Sequence, residues 1–225
     1  LYPPSPAAGR ALPYWIYSIR PRYETRNPQA GAASLHTNFR VWVFDGSTDD
    51  SIVLANGGEK QNCLWVLGPH DDDNPDISPL LKKWAAISNT GRIQTVAPPG
   101  WQPSEDLFGP ESASSWCYFF EKADLARQFG DWQSAASLGD QARDAGYSPA
   151  SPGSNNPFEW LPFIEAYART GRWEDAGQLA LDGFNYDNRY REMLCRRWQQ
   201  LAVAVPASPA DLAIQEEIGS ALGCP

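Results

Sequence analysis

Residues 115–146, SWCYFFEKADLARQFGDWQSAASLGDQARDAG, decide the fold. In the first half of this stretch, apolar side chains recur every three or four residues, which is the spacing of a helix with one buried face. They are Trp116, Phe119, Phe120, Ala123, Ala126 and Phe129. After a break at 130–132, a second helix is predicted over Gln133–Ala145, ending at Gly146. The stretch therefore predicts one helical hairpin, with its first helix over Ser115–Phe129.

The break between the two helices has a second copy 41 residues later. In both copies a glycine is followed after two residues by tryptophan and after three more by alanine, a small residue that lets paired helices approach. The corner residues are Gly130, Trp132, Ala135, Gly171, Trp173 and Ala176. This order is typical of tetratricopeptide repeats, although their usual period is about 34 residues. We therefore predict tetratricopeptide-like hairpins with a longer loop between them.

The helical pattern continues to the end of the chain. Helices are predicted over Phe158–Thr170, Glu174–Leu181, Asn188–Val203 and Pro209–Leu222. Two and a half hairpins are few for a free-standing solenoid, so we expect this helical-hairpin repeat unit, residues 111–225, to lean on the part of the chain before it. Its concave face is where we expect a partner.

The preceding part of the chain has the pattern of short strands. After a Pro-rich tail or linker at 1–11, we predict an α+β unit over 12–110, containing a small, mostly antiparallel sheet and a short helix. The strands are predicted over Leu12–Arg20, Asn38–Asp45, Ser51–Ala55, Cys63–Leu67 and Arg92–Val96, the middle three as a meander, and the helix over Pro79–Ser88. The predicted fold class of the whole chain is therefore α+β.

Charge excludes several classes of partner. The 225 residues have a formal net charge of −9, with 9 basic and 11 acidic residues in 1–110 and 9 basic and 16 acidic residues in 111–225. A nucleic acid or an anionic membrane surface requires a basic face, so neither is an expected partner. No apolar run approaches about 18 residues, so no segment is expected to span a bilayer.

The N-terminal residues Leu1 to Pro6 are rich in proline and lack the basic start and apolar stretch of a signal peptide. Because the chain begins with Leu and not Met, we expect it to be a processed or excised part of a longer protein.

Four cysteines are widely spaced, and none forms a Cys-x-x-Cys or Cys/His cluster, so no zinc site is expected. An even number fits two disulfides in an oxidising compartment, and four cysteines allow three pairings. We favour Cys63 with Cys117 and Cys195 with Cys224, because each bond would join neighbouring elements. The alternative is four buried thiols in a reducing compartment.

Candidate catalytic groups are sparse. The acidic stretch from Asp71 to Asp76 has oxygen ligands for a cation but lacks the spacing of a calcium loop, and we interpret it as a solvated loop. Glu121 and Asp124 lie one helical turn apart beside basic residues, as surface ion pairs do. Glu159, Glu165 and Asp175 are interpreted in the same way. The two histidines and the absence of a phosphate-loop motif give no catalytic residue, metal site or cofactor.

Aromatic residues suggest a second kind of site. Five tryptophans, at positions 15, 42, 65, 84 and 101, could stack on sugars, but three of them fall within apolar strand patterns where core packing is expected. Trp101, set among prolines, is the best candidate for an exposed sugar-binding aromatic.

Several phrases, taken together, resemble a known family. They are Leu12-Pro13-Tyr14, Phe39-Arg40 through Gly46-Ser47-Thr48, Cys63-Leu64-x-Val66-Leu67-x-Pro69, Leu80 to Ser88, Phe108-Gly109-Pro110-Glu111, Trp116 to Ala126 and Glu159 to Glu165. Over about Leu12 to Trp198, the chain is similar to the soluble C-terminal region of large polytopic bacterial membrane proteins that resemble lipid-phosphosugar-dependent glycosyltransferases. The family's pattern differs at 56–60, where a more apolar turn is expected, and at Gly68, where Asp is expected.

The resemblance implies an extracytoplasmic location, in the cell envelope or secreted, which agrees with two disulfides. In such transferases the catalytic acid lies in loops between membrane helices, so no catalytic residue is carried over to this chain. The leading hypothesis is a non-catalytic interaction or accessory domain of a membrane glycosyltransferase-like protein, with the parent protein or another protein as its partner. The alternatives are a free-standing scaffold subunit and a carbohydrate-binding module with exposed aromatics.

Overall fold

A computed structural model describes residues 16, 34–39, 42–56, 63–94, 106, 109 and 112–225. The chain divides into two compact units. The first contains the described residues within Leu1–Ala55, Val66–Asp72 and Ile77–Ile93, and the second those within Asn56–Trp65, Asp73–Asp76 and Gln94–Pro225. The described residues form helices and short antiparallel strands, which confirms the α+β class.

A β-hairpin belongs to the first unit. Its strands, β1 (Ser34–Phe39) and β2 (Trp42–Ser47), are antiparallel, with a register that runs from Ser34 opposite Ser47 to Phe39 opposite Trp42. The single strand predicted over Asn38–Asp45 is therefore wrong, because the chain reverses within it. Positions 40 and 41, outside the described residues, are Arg and Val, so the sequence between the two strands has no Gly or Pro by which a reversal is recognised.

A second pair of strands replaces the predicted meander. Strands β3 (Val53–Asn56) and β4 (Leu64–Leu67) form a two-stranded sheet separate from β1 and β2. Helix α1 (Pro79–Ala85) begins at Ser78, whose hydroxyl accepts a hydrogen bond from the Leu81 N–H. It ends three residues before the predicted Ser88, and the backbone N–H groups of Ile87 and Ser88 bond to the carbonyls three residues earlier. The Ser88 hydroxyl accepts a hydrogen bond from the Val53 N–H at 3.0 Å.

Two further predicted strands lie partly or largely outside the described residues. Arg92 closes a one-turn 3₁₀ helix (Thr90–Arg92), where its guanidinium lies 2.9 Å from Asp50, so the strand predicted over Arg92–Val96 does not begin there. The end of that segment, and Leu12–Arg20 apart from Ile16, lie outside the described residues.

Six α-helices form the described part of the second unit after residue 112. They are α2 (Trp116–Gln128), α3 (Trp132–Asp144), α4 (Leu161–Arg169), α5 (Trp173–Tyr186), α6 (Arg191–Ala204) and α7 (Pro209–Leu222). All six were predicted, and the bounds differ by a few residues. The main differences are one-turn 3₁₀ helices at Pro157–Trp160 and Asn188–Tyr190, which precede α4 and α6.

The corners between α2 and α3 and between α4 and α5 have the same local geometry. Gly130 and Gly171 have φ angles of 72° and 79°, a left-handed conformation that side chains with a Cβ rarely adopt. Ala135 and Ala176, at equivalent positions of the following helices, are fully buried. Trp173 is buried as well, whereas Trp132 is half-buried beneath the Arg169 guanidinium, 4.5 Å from its ring.

Helix α4 is the centre of the second unit, since every residue from Leu161 to Ala168 is buried. Neighbouring helices approach it closely: a Cβ placed on Gly139 of α3 would lie 2.7 Å from the Tyr167 hydroxyl. Among the residues of α4, only Arg169 is exposed. This helix therefore offers little accessible surface to a partner.

Both disulfides have the pairing favoured from the sequence. Cys63 is bonded to Cys117 at the start of α2, and Cys195 of α6 is bonded to Cys224 after α7. The first bond attaches the segment before β4 to the helices, and the second fixes the end of the chain to α6. The structure contains no free cysteine among its described residues.

Candidate functional site

The most unusual side chain of the second unit is Glu159, a carboxylate with no exposed surface. It lies in the 3₁₀ turn Pro157–Trp160, which Asn156 caps by accepting a hydrogen bond from the Phe158 N–H at 3.0 Å. All four residues of this turn are buried, so Glu159 is directed into the interior with its apolar neighbours. A charged group in such a position requires strong hydrogen-bonding partners.

Two tryptophans supply those partners. The indole N–H of Trp65 donates to Oε1 of Glu159 at 2.8 Å, and that of Trp116 donates to Oε2 at 2.5 Å. Trp160 stacks on Trp116 with ring centroids 4.6 Å apart, and Phe158 lies 4.8 Å from Trp65. We call these five residues the Glu159 cluster; it joins β4, α2 and the start of α4.

Burial raises the pKa of Glu159 to about 7, although both indole hydrogen bonds act in the opposite direction. The negative charges of Glu121 and Asp76 raise it further. Such a carboxyl group could exchange a proton near neutral pH. However, a substrate cannot reach it in this structure, so the Glu159 cluster fits a stabilising role better than a catalytic one.

A second polar cluster crosses α2, α4 and α6. Arg127 binds Asp124 at 2.7 Å and lies 3.8 Å from Glu165, whose carboxylate is 3.6 Å from Arg197. Asp124, Glu165 and Arg197 are buried. Alternating charges therefore connect the first helices of successive pairs, and the ion pairs are internal rather than at the surface as the sequence pattern indicated.

A third cluster lies between α3 and α5 and is partly exposed. Arg172 donates two hydrogen bonds to Asp140, at 2.8 and 2.9 Å, and one to Asp175, which also accepts from Arg143 at 2.7 Å. The hydrogen bond from Arg172 holds the pKa of Asp140 below its usual value. Burial opposes this effect at Asp175, but the two arginines lower its pKa as well. These carboxylates stay ionised, and their ion pairs join α3 of the first hairpin to the start of α5 in the second.

The acidic stretch from Asp71 to Asp76 is not a solvated loop throughout. Within the second unit, Asp73 lies 3.1 Å from Arg196, and Asp76 accepts hydrogen bonds from Asn156 and from the Tyr190 hydroxyl. Within the first unit, Asp71 is buried and accepts a hydrogen bond from the Gly68 N–H. In the described part of the chain, no three acidic, His or Cys residues are placed to hold a metal ion.

The structure describes the side chains of two of the five tryptophans considered for sugar binding. Trp65 is buried in the Glu159 cluster, and Trp84 is half-buried. Trp15 and Trp101 lie outside the described residues, as does the side chain of Trp42. Glu121, considered with Asp124 as a carboxylate pair, is exposed and accepts a hydrogen bond from the Leu64 N–H at 2.7 Å.

Sequence reasoning missed Glu159 and Glu165 as buried groups. The signal was available, because each is a single charge in an apolar segment, PFEWLPFIEAYA at 157–168. Helical periodicity alone assigns such positions to an exposed face, whereas α4 has no exposed face before Arg169. Both carboxylates are therefore internal.

Comparison of the chain with protein-family models, with curated proteins and with solved structures finds no significant match. Among the described residues, none of the helices has the length and apolar character needed to cross a membrane.

Proposed function

We propose that this chain is a non-catalytic, extracytoplasmic accessory domain of a membrane glycosyltransferase-like protein, which positions that protein or a protein partner. The main observation behind the proposal is that the buried carboxylates of the second unit are all bound by other side chains. The carboxylates of Glu159, Glu165 and Asp124 are buried and engaged by tryptophan or arginine side chains. Groups held in this way stabilise the packing between the helices and are not accessible to a substrate.

The disulfides support the extracytoplasmic part of the proposal. Bonds of this kind persist where the surroundings are oxidising and are rare in the bacterial cytosol. Cys63, Cys117 and Cys195 are buried or partly buried, and Cys63 is fully inaccessible, so its bond is shielded from reductants. The similarity of the sequence motifs to the C-terminal regions of glycosyltransferase-like membrane proteins supports the proposed association with such a protein.

We also propose that the helices of the second unit are related to tetratricopeptide repeats. Two corners share glycines with positive φ and buried alanines at the same offset, as the repeat requires. The complete burial of α4 departs from an open array of repeats. We therefore place the interaction surface on the outer helices and at the end of the chain.

Thiol trapping in intact cells of the source organism tests the compartment. The cells are quenched with acid, the chain is unfolded in denaturant, and a maleimide reagent is added with or without prior reduction in the denaturant; labelling of the chain is followed by mass. We expect no cysteine to be labelled before reduction and all four after it. Labelling of four thiols without reduction would contradict an extracytoplasmic location.

Removal of the domain from its parent protein tests the accessory role. Membranes that contain the parent protein with and without residues 1–225 are compared for sugar transfer from a lipid-phosphosugar donor, and the isolated chain is assayed alone. We expect the isolated chain to be inactive and its removal to change the amount or length of the product. Transfer by the isolated chain, or an unchanged product after its removal, would contradict the proposal.

A further inference from the structure

Basic residues are concentrated at one place in the acidic second unit. Residues 189–197, RYREMLCRR, contain four of the nine basic residues of 111–225. One of them, Arg197, points inward to Glu165. The other three, Arg189, Arg191 and Arg196, line a cleft of about 570 Å³.

The cleft has two walls. One is a face of α6 that includes Arg191, Cys195 and Gln199, which follow one another at helical spacing. The exposed carboxylate of Glu192 also lines the cleft, so its three arginines face one acidic side chain. The other wall is the segment after α7, represented by Gly223 and Pro225. The volume falls within the range of about 300–1,000 Å³ that is usual for small-molecule sites.

The second wall is held in place covalently and by hydrogen bonding. The disulfide Cys195–Cys224 fixes it to the middle of α6, and the Gln199 side-chain amide donates to the Pro225 carbonyl at 3.0 Å. The cleft therefore exists before a ligand arrives, and less conformational entropy is lost on binding than at a flexible site.

The arginines of the cleft differ in their partners. Arg189 is held by Asp187, at 3.0 and 2.6 Å, and Arg196 lies 3.1 Å from Asp73, so aspartates fix the positions of these two side chains. Arg191 is exposed, and its contact is with the Phe184 ring, 6.0 Å away. Within the described residues, no carboxylate lies within ion-pair distance of Arg191.

We propose that this cleft binds a small ligand through a carboxylate or phosphate group, with Arg191 as its principal donor. A planar guanidinium matches the two oxygens of either group and donates two parallel hydrogen bonds to it. Arg196 and Gln199, on the same face of α6, border the bound group. The net negative charge of the surrounding unit disfavours an extended polyanion, so the ligand is a small molecule with one anionic group. This inference does not depend on the proposed function.

Titration followed by isotope-edited NMR, at low ionic strength, tests the site. The probes are glucose 1-phosphate, inorganic phosphate, glucuronate and, as the neutral control, glucose. We expect at least one anionic probe to bind and to shift resonances of residues 191–199 and 223–225, with no shift from glucose. Binding of the sugar phosphate and inorganic phosphate alone would assign phosphate chemistry, and binding of glucuronate alone would assign carboxylate chemistry.

Arg191→Gln is compared with Lys83→Gln, which removes the same charge from an exposed position on α1 in the first unit. Arg191→Gln is expected to weaken binding at least tenfold, whereas Lys83→Gln leaves the affinity within twofold. Arg191→Lys retains the charge without the planar fork, and we expect an intermediate affinity. Absence of binding by every anionic probe, equal effects of the two Gln variants, or shifts spread outside the cleft would overturn the inference.

Discussion

The carboxyl group of Glu159 should make the second unit less stable as pH rises from 4 to 8. Glu159→Gln removes the titrating group but keeps its size and one hydrogen-bond acceptor for Trp65 or Trp116. Burial raises the pKa of Glu159 from 4.5 to about 7 in the folded chain. Each pH unit between these two values changes the relative free energy of unfolding by about 1.4 kcal/mol.

The direction of this pH dependence follows from whether the folded or the unfolded chain releases the Glu159 proton at lower pH. Below about pH 4 the side chain is protonated in both states, and its ionisation has no effect. As pH rises from 4.5 to 7, the unfolded chain loses the proton while the folded chain retains it, so folding becomes less favourable. Relative to Glu159→Gln, the native protein should therefore lose about 3 kcal/mol of stability between pH 4 and pH 8.

Urea denaturation followed by tryptophan fluorescence, at unit steps from pH 4 to pH 8, measures this difference. Glu159→Leu is the control, because it also removes the titration but provides no hydrogen-bond acceptor. We expect Gln and Leu to differ from each other by a constant amount and to show the same pH dependence against the native protein. The compared quantity is the free energy of unfolding of the native protein minus that of Glu159→Gln. If it changes by less than 1 kcal/mol between pH 4 and pH 8, or if it increases as pH rises, the argument is refuted.

Three other predictions concern packing, crosslinking and backbone conformation, and each is checked by the free energy of unfolding in urea. Gly139→Ala should destabilise the chain by about 1–3 kcal/mol, because its Cβ would lie 2.7 Å from the Tyr167 hydroxyl. Replacing Cys195 and Cys224 by serine should reduce stability by about 3.5 kcal/mol, from the lost crosslink across a sequence separation of 29. Gly171→Ala should be destabilising by about 1–2 kcal/mol, because its φ is 79°.

The first two of these predictions each have an independent check. Ser137→Ala places the same side chain on an exposed position of α3 and should change the free energy of unfolding by less than 0.5 kcal/mol, as surface substitutions usually do. Reduction of the native protein at the Cys195–Cys224 bond should reproduce the effect of the double serine variant. If Gly139→Ala were as mild as Ser137→Ala, the close approach of α3 to α4 would be wrong.

Helical periodicity predicted the second unit because its signals are local. A stripe of apolar residues, a glycine with positive φ and a Ser-Pro start each act within a few positions, as at Gly130 and Ser208. The disulfide pairing also followed from the order of neighbouring elements. The pairing of β1 with β2 could not be predicted in the same way, because the sequence has no glycine or proline at the two positions between Phe39 and Trp42.

The partners of the buried polar groups were beyond local reasoning, although the apolar segment around Glu159 indicates its burial. The carboxyl group of Glu159 is bound by Trp65, 94 residues away in sequence, and by Trp116, 43 residues away. The cleft beside α6 likewise requires the end of the chain to return to Cys195. Contacts of this kind are set by tertiary packing, and a pattern with a period of a few residues contains no information on them.

The burial of α4 on every side has a consequence for how this unit can vary. In an open array of repeats, each pair contacts only its neighbours, and pairs can be gained or lost during evolution with little effect on the rest. Here the removal of α2 and α3 would uncover Phe163 and Tyr167 of the central helix, which lie close to Gly139 of α3. Removal of α6 would take Arg197 away from the buried Glu165 of the same helix. The helices on both sides of α4 should therefore be inherited, and should unfold, together with it.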